Sequence, residues 1–179
     1  MVTFSSFCRF VGSRGSRSLL MVAAAALTAG HAWSACAVSS PGVSFGSYQP
    51  LTFPGKLTSA DVLSTGTVSI TCSLIVSLSS FTVALGASSA GTGDRISTRY
   101  LSNSNGGADM AFNLYTDANR SIVWGNGTTG SVITGNLPII TVGSQTQTFT
   151  VYGKIPAGQN TLKSGSFSGA MTVTLTYNP

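Results

Sequence analysis

Residues 167–177 (FSGAMTVTLTY) alternate in character along their whole length. Phe167, Met171, Val173, Leu175 and Tyr177 share one parity, and Ser168, Ala170, Thr172, Thr174 and Thr176 share the other. A period of two puts one set on each side of an extended chain, which is the pattern of a half-buried β-strand. Residues 67–74 repeat it, with Val68, Ile70, Cys72 and Leu74 against Ser69, Thr71 and Ser73. The same alternation turns Cys72 inward. No segment with helical period and helical length is found beyond residue 35. Only 7% of residues are charged and glutamate is absent, whereas an ordinary soluble domain carries about 25% charge and its helices are rich in Glu and Lys. Turn residues recur throughout, so the expectation is an all-β chain of antiparallel strands at 43–48, 67–74, 81–85, 99–102, 110–116, 121–124, 131–134, 148–154 and 167–177, the rhythm of a sandwich or barrel. A bulge is expected near Gly169.

The amino terminus is of another kind. Residues 1–18 carry Arg9, Arg14 and Arg17, and residues 19–29 (LLMVAAAALTA) are an apolar run too short to span a bilayer. Small residues follow. This is the layout of a signal peptide over 1–34, with cleavage after Ser34, or after Ala32 or Ala35. The domain proper is then 35–179. The chain is expected to be exported, with no stable membrane insertion once the signal is gone.

With that segment set aside, six basic residues (Lys56, Arg95, Arg99, Arg120, Lys154, Lys163) face four acidic ones (Asp61, Asp94, Asp109, Asp117). They are scattered, so no nucleic-acid face is expected. Arg95, Arg99 and Arg120 are read as surface or turn partners of Asp94 and Asp117. Cys8 leaves with the signal, and Cys36 and Cys72 remain, an even pair in an oxidising compartment that can bridge or stay as two buried thiols.

Catalytic chemistry is short of parts. His31 lies in the signal, so no Ser-His-Asp triad can be built. Two cysteines alone complete no zinc site. GNGTTG at 125–130 matches a dinucleotide fingerprint by letter, but it opens no helix and no acidic residue follows Asp117. It reads as a glycine-rich loop. No enzyme, metal or cofactor is expected.

Four stretches in order resemble the spore coat protein U domain family, which includes subunits of archaic chaperone–usher pili. They are CAVSSPGVSFGSY at 36–48, TGTVSITCS at 65–73, FNLYTDANRSIVWGNGT at 112–128 and FTVYGKIPAGQNTLKSGSFSGAMTVTLTY at 149–177. The resemblance implies an immunoglobulin-like β-sandwich lacking one strand, which a neighbour's extension supplies by β-augmentation. Met171, Val173, Leu175 and Tyr177 would line the acceptor groove. The implied partners are a periplasmic pilus chaperone, an outer-membrane usher and neighbouring pilus or coat subunits. The route is through the periplasm to the cell surface. Two departures stand out. At most three residues remain before Cys36 after cleavage, too few to donate a strand, which points to a terminal subunit. Gly169 stands near where the family often has Asp. The alternatives are a tip adhesin or surface-binding module, using 51–55 (LTFPG), and a coat protein whose sandwich is complete.

Overall fold

The computed structural model describes residues 2–8, 35–73, 79–137, 139–140 and 142–177. The apolar run at 19–29, the cleavage points at 32–34 and His31 lie outside them. Among the described residues no helix is long and apolar enough to cross a membrane.

The strands are β1 (Val2–Cys8), β2 (Ala35–Ser39), β3 (Val62–Ser73), β4 (Ser79–Ser88), β5 (Arg99–Asn103), β6 (Met110–Tyr115), β7 (Ile133–Leu137), β8 (Ser144–Ile155) and β9 (Phe167–Tyr177). Hydrogen bonding runs β2-β3-β8-β6-β5-β9-β4-β7, every pair antiparallel, with β1 joined to β9 in parallel. The sheet folds over at β5, whose Arg99, Tyr100 and Leu101 pair with β6 while Ser102 and Asn103 pair with β9. The result is the expected immunoglobulin-like antiparallel sandwich. One layer holds β2, β3, β8 and β6, and the other holds β9, β4 and β7.

Alternation fills the space between the layers. Val68, Ile70 and Cys72 of β3 and Val151 and Ile155 of β8 meet Phe81, Val83 and Leu85 of β4 and Met171, Val173 and Leu175 of β9 in one buried cluster. Phe81 crosses edge-on to Phe149 of the opposite layer, 6.0 Å between ring centres. Each such side chain contributes roughly 1.5–3 kcal/mol on burial. Outward positions of β3 and β8 carry hydroxyls opposite one another in five successive pairs, from Thr65 against Tyr152 to Ser73 against Ser144. Ser69 bonds Thr148 at 3.0 Å and Thr71 bonds Thr146 at 2.8 Å.

Several expectations are corrected. Residues 43–48 form no strand beyond a bridge at Val43. They cross the inner face of the first layer at two inward positions that lack side chains. A Cβ on Gly66 would come within 2.7 Å of Val43 and 2.8 Å of the Gly42 carbonyl, and one on Gly153 within 2.6 Å of the Phe45 ring. Residues 121–124 contribute only isolated bridges at Val123 and Trp124. The register shift lies in β4 between Leu85 and Ser88, not at Gly169. The loop at 125–130 is closed by Gly125 N–H to Ser131 and Asn126 N–H to Thr129, as its glycines suggest.

Arg99 is the largest correction. It shares the parity of Leu101 and Asn103 and is fully buried. Its guanidinium donates to the carbonyls of Leu85 (3.2 Å), Gly86 (2.9 Å), Ile96 (3.2 Å) and Trp124 (2.8 Å) and to Asn113 Oδ1 (2.6 Å). The irregularity in β4 leaves carbonyls off the ladder, and Arg99 answers them. Burial pushes its pKa down to about 10, with Asp94 pulling weakly the other way. Arg120 donates to the carbonyls of Gly153 and Ala118 and lies 5.7 Å from the Tyr152 ring centre. Arg95 donates to the Ser89 carbonyl at 3.4 Å. Asp94 and Asp117 accept from turn amides, Asp94 from Ile96 and Asp117 from Ser121 and Ile122, and those bonds hold their carboxyls below the ordinary value. Among the described residues the ion pair is Lys154 with Asp61, at 2.6 Å.

Candidate functional site at the β9 edge

Strand β9 presents two edges and two faces. Its outward face is Thr172, Thr174 and Thr176. Its inward face is Met171, Val173, Leu175 and Tyr177, all buried. One edge is taken by β4, from Phe81 opposite Tyr177 to Ser88 opposite Met171. The other edge is shared. Strand β5 covers Phe167 and Ser168, and from Gly169 onward the partner is β1, running parallel from Val2 opposite Gly169 to Cys8 opposite Leu175.

On the far side of that edge stands β2. The Cys36 N–H donates to Tyr177 Oη at 3.4 Å, so the two layers close on each other here. Cys36 and Cys72 are disulfide-bonded and directly opposite one another in the β2–β3 ladder. The bridge, one of the two options open from the sequence, fixes β2 as the second wall. Cys36, Val38, Met171, Val173, Leu175 and Tyr177 all belong to the single buried cluster, which forms the floor.

Past the start of β9 lies a cleft of about 670 Å³, lined by apolar side chains including Phe45, Tyr48, Leu101, Met110, Ile155 and Phe167. Its shape comes from the displaced segment at 43–48. Tyr48 donates to the Pro156 carbonyl at 2.8 Å and accepts from the Gln159 N–H at 3.1 Å, which holds that segment at the end of the sandwich.

The four residues expected to line an acceptor groove are thus brought together on one face of one strand. The alternation of β9 made them legible. The second wall was not, because ACAVS is too short to show a period. Among the described residues, no group of three His, Cys, Asp or Glu could hold a metal ion. Along this strand the main chain is paired by β4 on one side and by β1 on the other, above an apolar floor.

A second feature stands apart from it. Residues 53–57 close a tight turn in which the Phe53 and Leu57 N–H groups each bond the other's carbonyl, at 2.7 and 2.9 Å. Phe53 is 53% exposed, Leu51 40% and Leu57 39%. The segment at 51–55 is therefore an exposed apolar projection and not a buried connection.

Comparison with known proteins adds two findings. A family model described as Spore Coat Protein U domain matches residues 22–174. The chain is also 31% identical over 138 residues to "Protein U" of Myxococcus xanthus, an alignment covering 75% of this chain and 71% of that protein.

Proposed function

Because this chain belongs to the Spore Coat Protein U domain family, a family of surface coat and pilus-type subunits, we propose that it is an exported structural subunit joined to its neighbours by strand addition along β9. One observation carries this reading. Among the described residues, the 169–175 edge of β9 is paired on the side away from β4 only by Val2–Cys8, which lies in the segment the sequence marks as a leader. In the whole chain β9 has a partner on both sides. Without residues 1–34 it has an open slot over a floor of Met171, Val173, Leu175 and Tyr177.

An open, apolar-floored sheet edge aggregates unless it is covered. In the pathway that the resemblance implies, a periplasmic chaperone covers it first. An outer-membrane usher then brings the exchange for a neighbouring subunit's strand. The chain would pass through the periplasm and end in a pilus or coat at the surface.

The leaderless chain, expressed in the periplasm alone, is expected to be lost to aggregation and proteolysis. Co-expression with the chaperone of its own pathway is expected to recover it as a one-to-one complex. Soluble, monomeric, heat-resistant leaderless protein in the chaperone's absence would instead mean a complete sandwich, and the reading would fall.

The projection at 51–57 supports a second reading, a terminal subunit that touches a surface through Leu51, Phe53 and Leu57. Each apolar side chain that leaves water gains roughly 1.5–3 kcal/mol, and about 1.4 kcal/mol is tenfold in affinity. Phe53→Asp with Leu57→Asp is therefore expected to cut adsorption to polystyrene at least about tenfold. The circular dichroism spectrum should stay as it was, because neither side chain is buried. Unchanged adsorption would remove this role.

A further inference from the structure

The outer face of the first layer carries side chains that the slot does not use. On β8 the residues that alternate outward are Thr146, Thr148, Thr150, Tyr152 and Lys154, and on β3 they are Leu63, Thr65, Thr67, Ser69 and Thr71. Strand β6 adds Tyr115, directly opposite Tyr152. Thr65, Tyr152 and Tyr115 therefore form one row across the sheet, with Leu63, 53% exposed, one rung away.

Packing does not account for the two tyrosines. A cross-strand aromatic pair supports a sheet through contact between its rings. These half-buried rings do not stack on each other, and neither phenol hydroxyl has a hydrogen-bond partner among the described residues. Tyr152 is held from the side instead. The Arg120 guanidinium lies 5.7 Å from its ring centre, and Arg120 Nε donates to the Gly153 carbonyl at 3.1 Å. Arg120 reaches there from a turn position with φ of 56°, uncommon for any residue but glycine.

Charge is balanced at this end. Lys154 pairs with Asp61 at 2.6 Å, and Asp117 stands in the same turn as Arg120, accepting from the Ser121 and Ile122 amides. The hydroxyl pairs that run on from the tyrosines hold no ionised group. A ligand that fits is therefore uncharged, apolar on one face and rich in hydroxyl groups at its rim. That is the chemistry of a pyranose ring, whose C–H face lies on an aromatic ring while its hydroxyls exchange hydrogen bonds with Ser and Thr. At about 3.4 Å per residue, the strip from Thr65 to Ser73 is roughly 27 Å long, enough for several rings in a row.

We propose that this face binds a neutral polysaccharide of the surface on which the protein is laid down. One sugar ring sits on Leu63, Tyr115 and Tyr152, and the rings that follow lie along the hydroxyl pairs of β3 and β8. Delivery to a surface rests on the reading above; the binding face itself does not, because it lies on β3, β6 and β8 while the slot lies on β9.

The test uses the exported protein in whichever soluble form it is recovered, alone or with a chaperone, and takes the chaperone alone as the blank. The probes are three neutral glucans (laminarin, dextran and hydroxyethylcellulose) and one acidic polysaccharide, alginate. At least one glucan should bind, with the same affinity from about 0.1 to 1 M salt, since no charge is involved. Tyr115→Val with Tyr152→Val should weaken that binding at least about tenfold. Thr67→Val with Thr150→Val, which keeps shape and strand preference, should weaken it about threefold or more. Both variants should keep the parent's circular dichroism spectrum, and should the tyrosine variant fail to fold, the threonine variant alone decides. Failure of the parent to bind any neutral glucan, equal binding by a folded double variant, or a preference for alginate that fades with salt would each overturn the proposal. The slot reading would survive all three, since strand addition at β9 is read by chaperone dependence and not by sugar binding.

Discussion

Replacing Arg99 by alanine is expected to cost the fold about 3–5 kcal/mol. Five oxygens on four segments converge on its guanidinium: the carbonyls of Leu85, Gly86, Ile96 and Trp124, and Asn113 Oδ1. Alanine takes the guanidinium donor from the Leu85, Gly86 and Trp124 carbonyls, while the Ile96 carbonyl keeps the Asn113 amide and Asn113 Oδ1 keeps the Leu114 N–H, and it opens a cavity beside Trp124, whose indole N–H donates to the Val83 carbonyl at 2.9 Å. For a domain whose whole stability is roughly 5–15 kcal/mol, the midpoint of thermal unfolding should fall by on the order of 10–15 °C. Arg99→Lys should recover only part of the loss, because an ammonium cannot reproduce the planar five-donor fork. The loss should be the same from pH 5 to pH 9, since the folded-state value of about 10 keeps the group charged throughout. Arg95→Met is the control, expected within about 0.5 kcal/mol of the parent. Chemical denaturation of the three variants decides the matter. A loss below about 1 kcal/mol for Arg99→Ala would mean that the carbonyls find water or one another, and that the corner between the layers is not held by this residue.

The second large effect belongs to the disulfide. Cys36→Ser together with Cys72→Ser should destabilise the domain by about 4 kcal/mol, the chain-entropy value for a bridge closing 36 residues. The damage should also be local. Strand β2 runs only from Ala35 to Ser39 and pairs only with β3 among the strands of its layer, so loss of the bridge should free it before the rest. Hydrogen exchange should then rise first at 35–39 and at Tyr177, where the second wall of the slot meets β9. On the proposed function, strand binding by the leaderless chain should weaken in step. If stability drops while exchange rises evenly across β3 and β8, the bridge acts on the unfolded chain alone and does not define the wall.

How far these features could be read in advance differs from strand to strand. Strand β9 was legible to the residue, because six of its eleven positions carry an unbroken apolar parity, counting Gly169, and Gly165 marks its approach. Strand β8 was legible only from 148, since SQTQ at its start is polar on both parities and shows no apolar rhythm. Residues 43–48 looked like a strand by the same test that found β9. Positive φ at Gly42 and Gly46 breaks the extended chain there, and glycines on two other strands open the bed in which it lies. Arg99 was misjudged because charge outweighed parity in the reading. Its alternation with Leu101 was present in the sequence and pointed inward. The leader's pairing with β9 was out of reach, since seven residues of weak pattern do not announce a partner at the other end of the chain.

The outer layer of β3 and β8 carries a last consequence. Its contacts with the surroundings are made by paired hydroxyls, from Thr65 and Tyr152 to Ser73 and Ser144, with no ionised group among them. Attraction and repulsion between charges fade as dissolved ions accumulate, but a wall finished in alcohol groups has little to screen. That stretch would meet fresh water and brine alike, while the partly exposed Lys154–Asp61 pair at its end would weaken in brine.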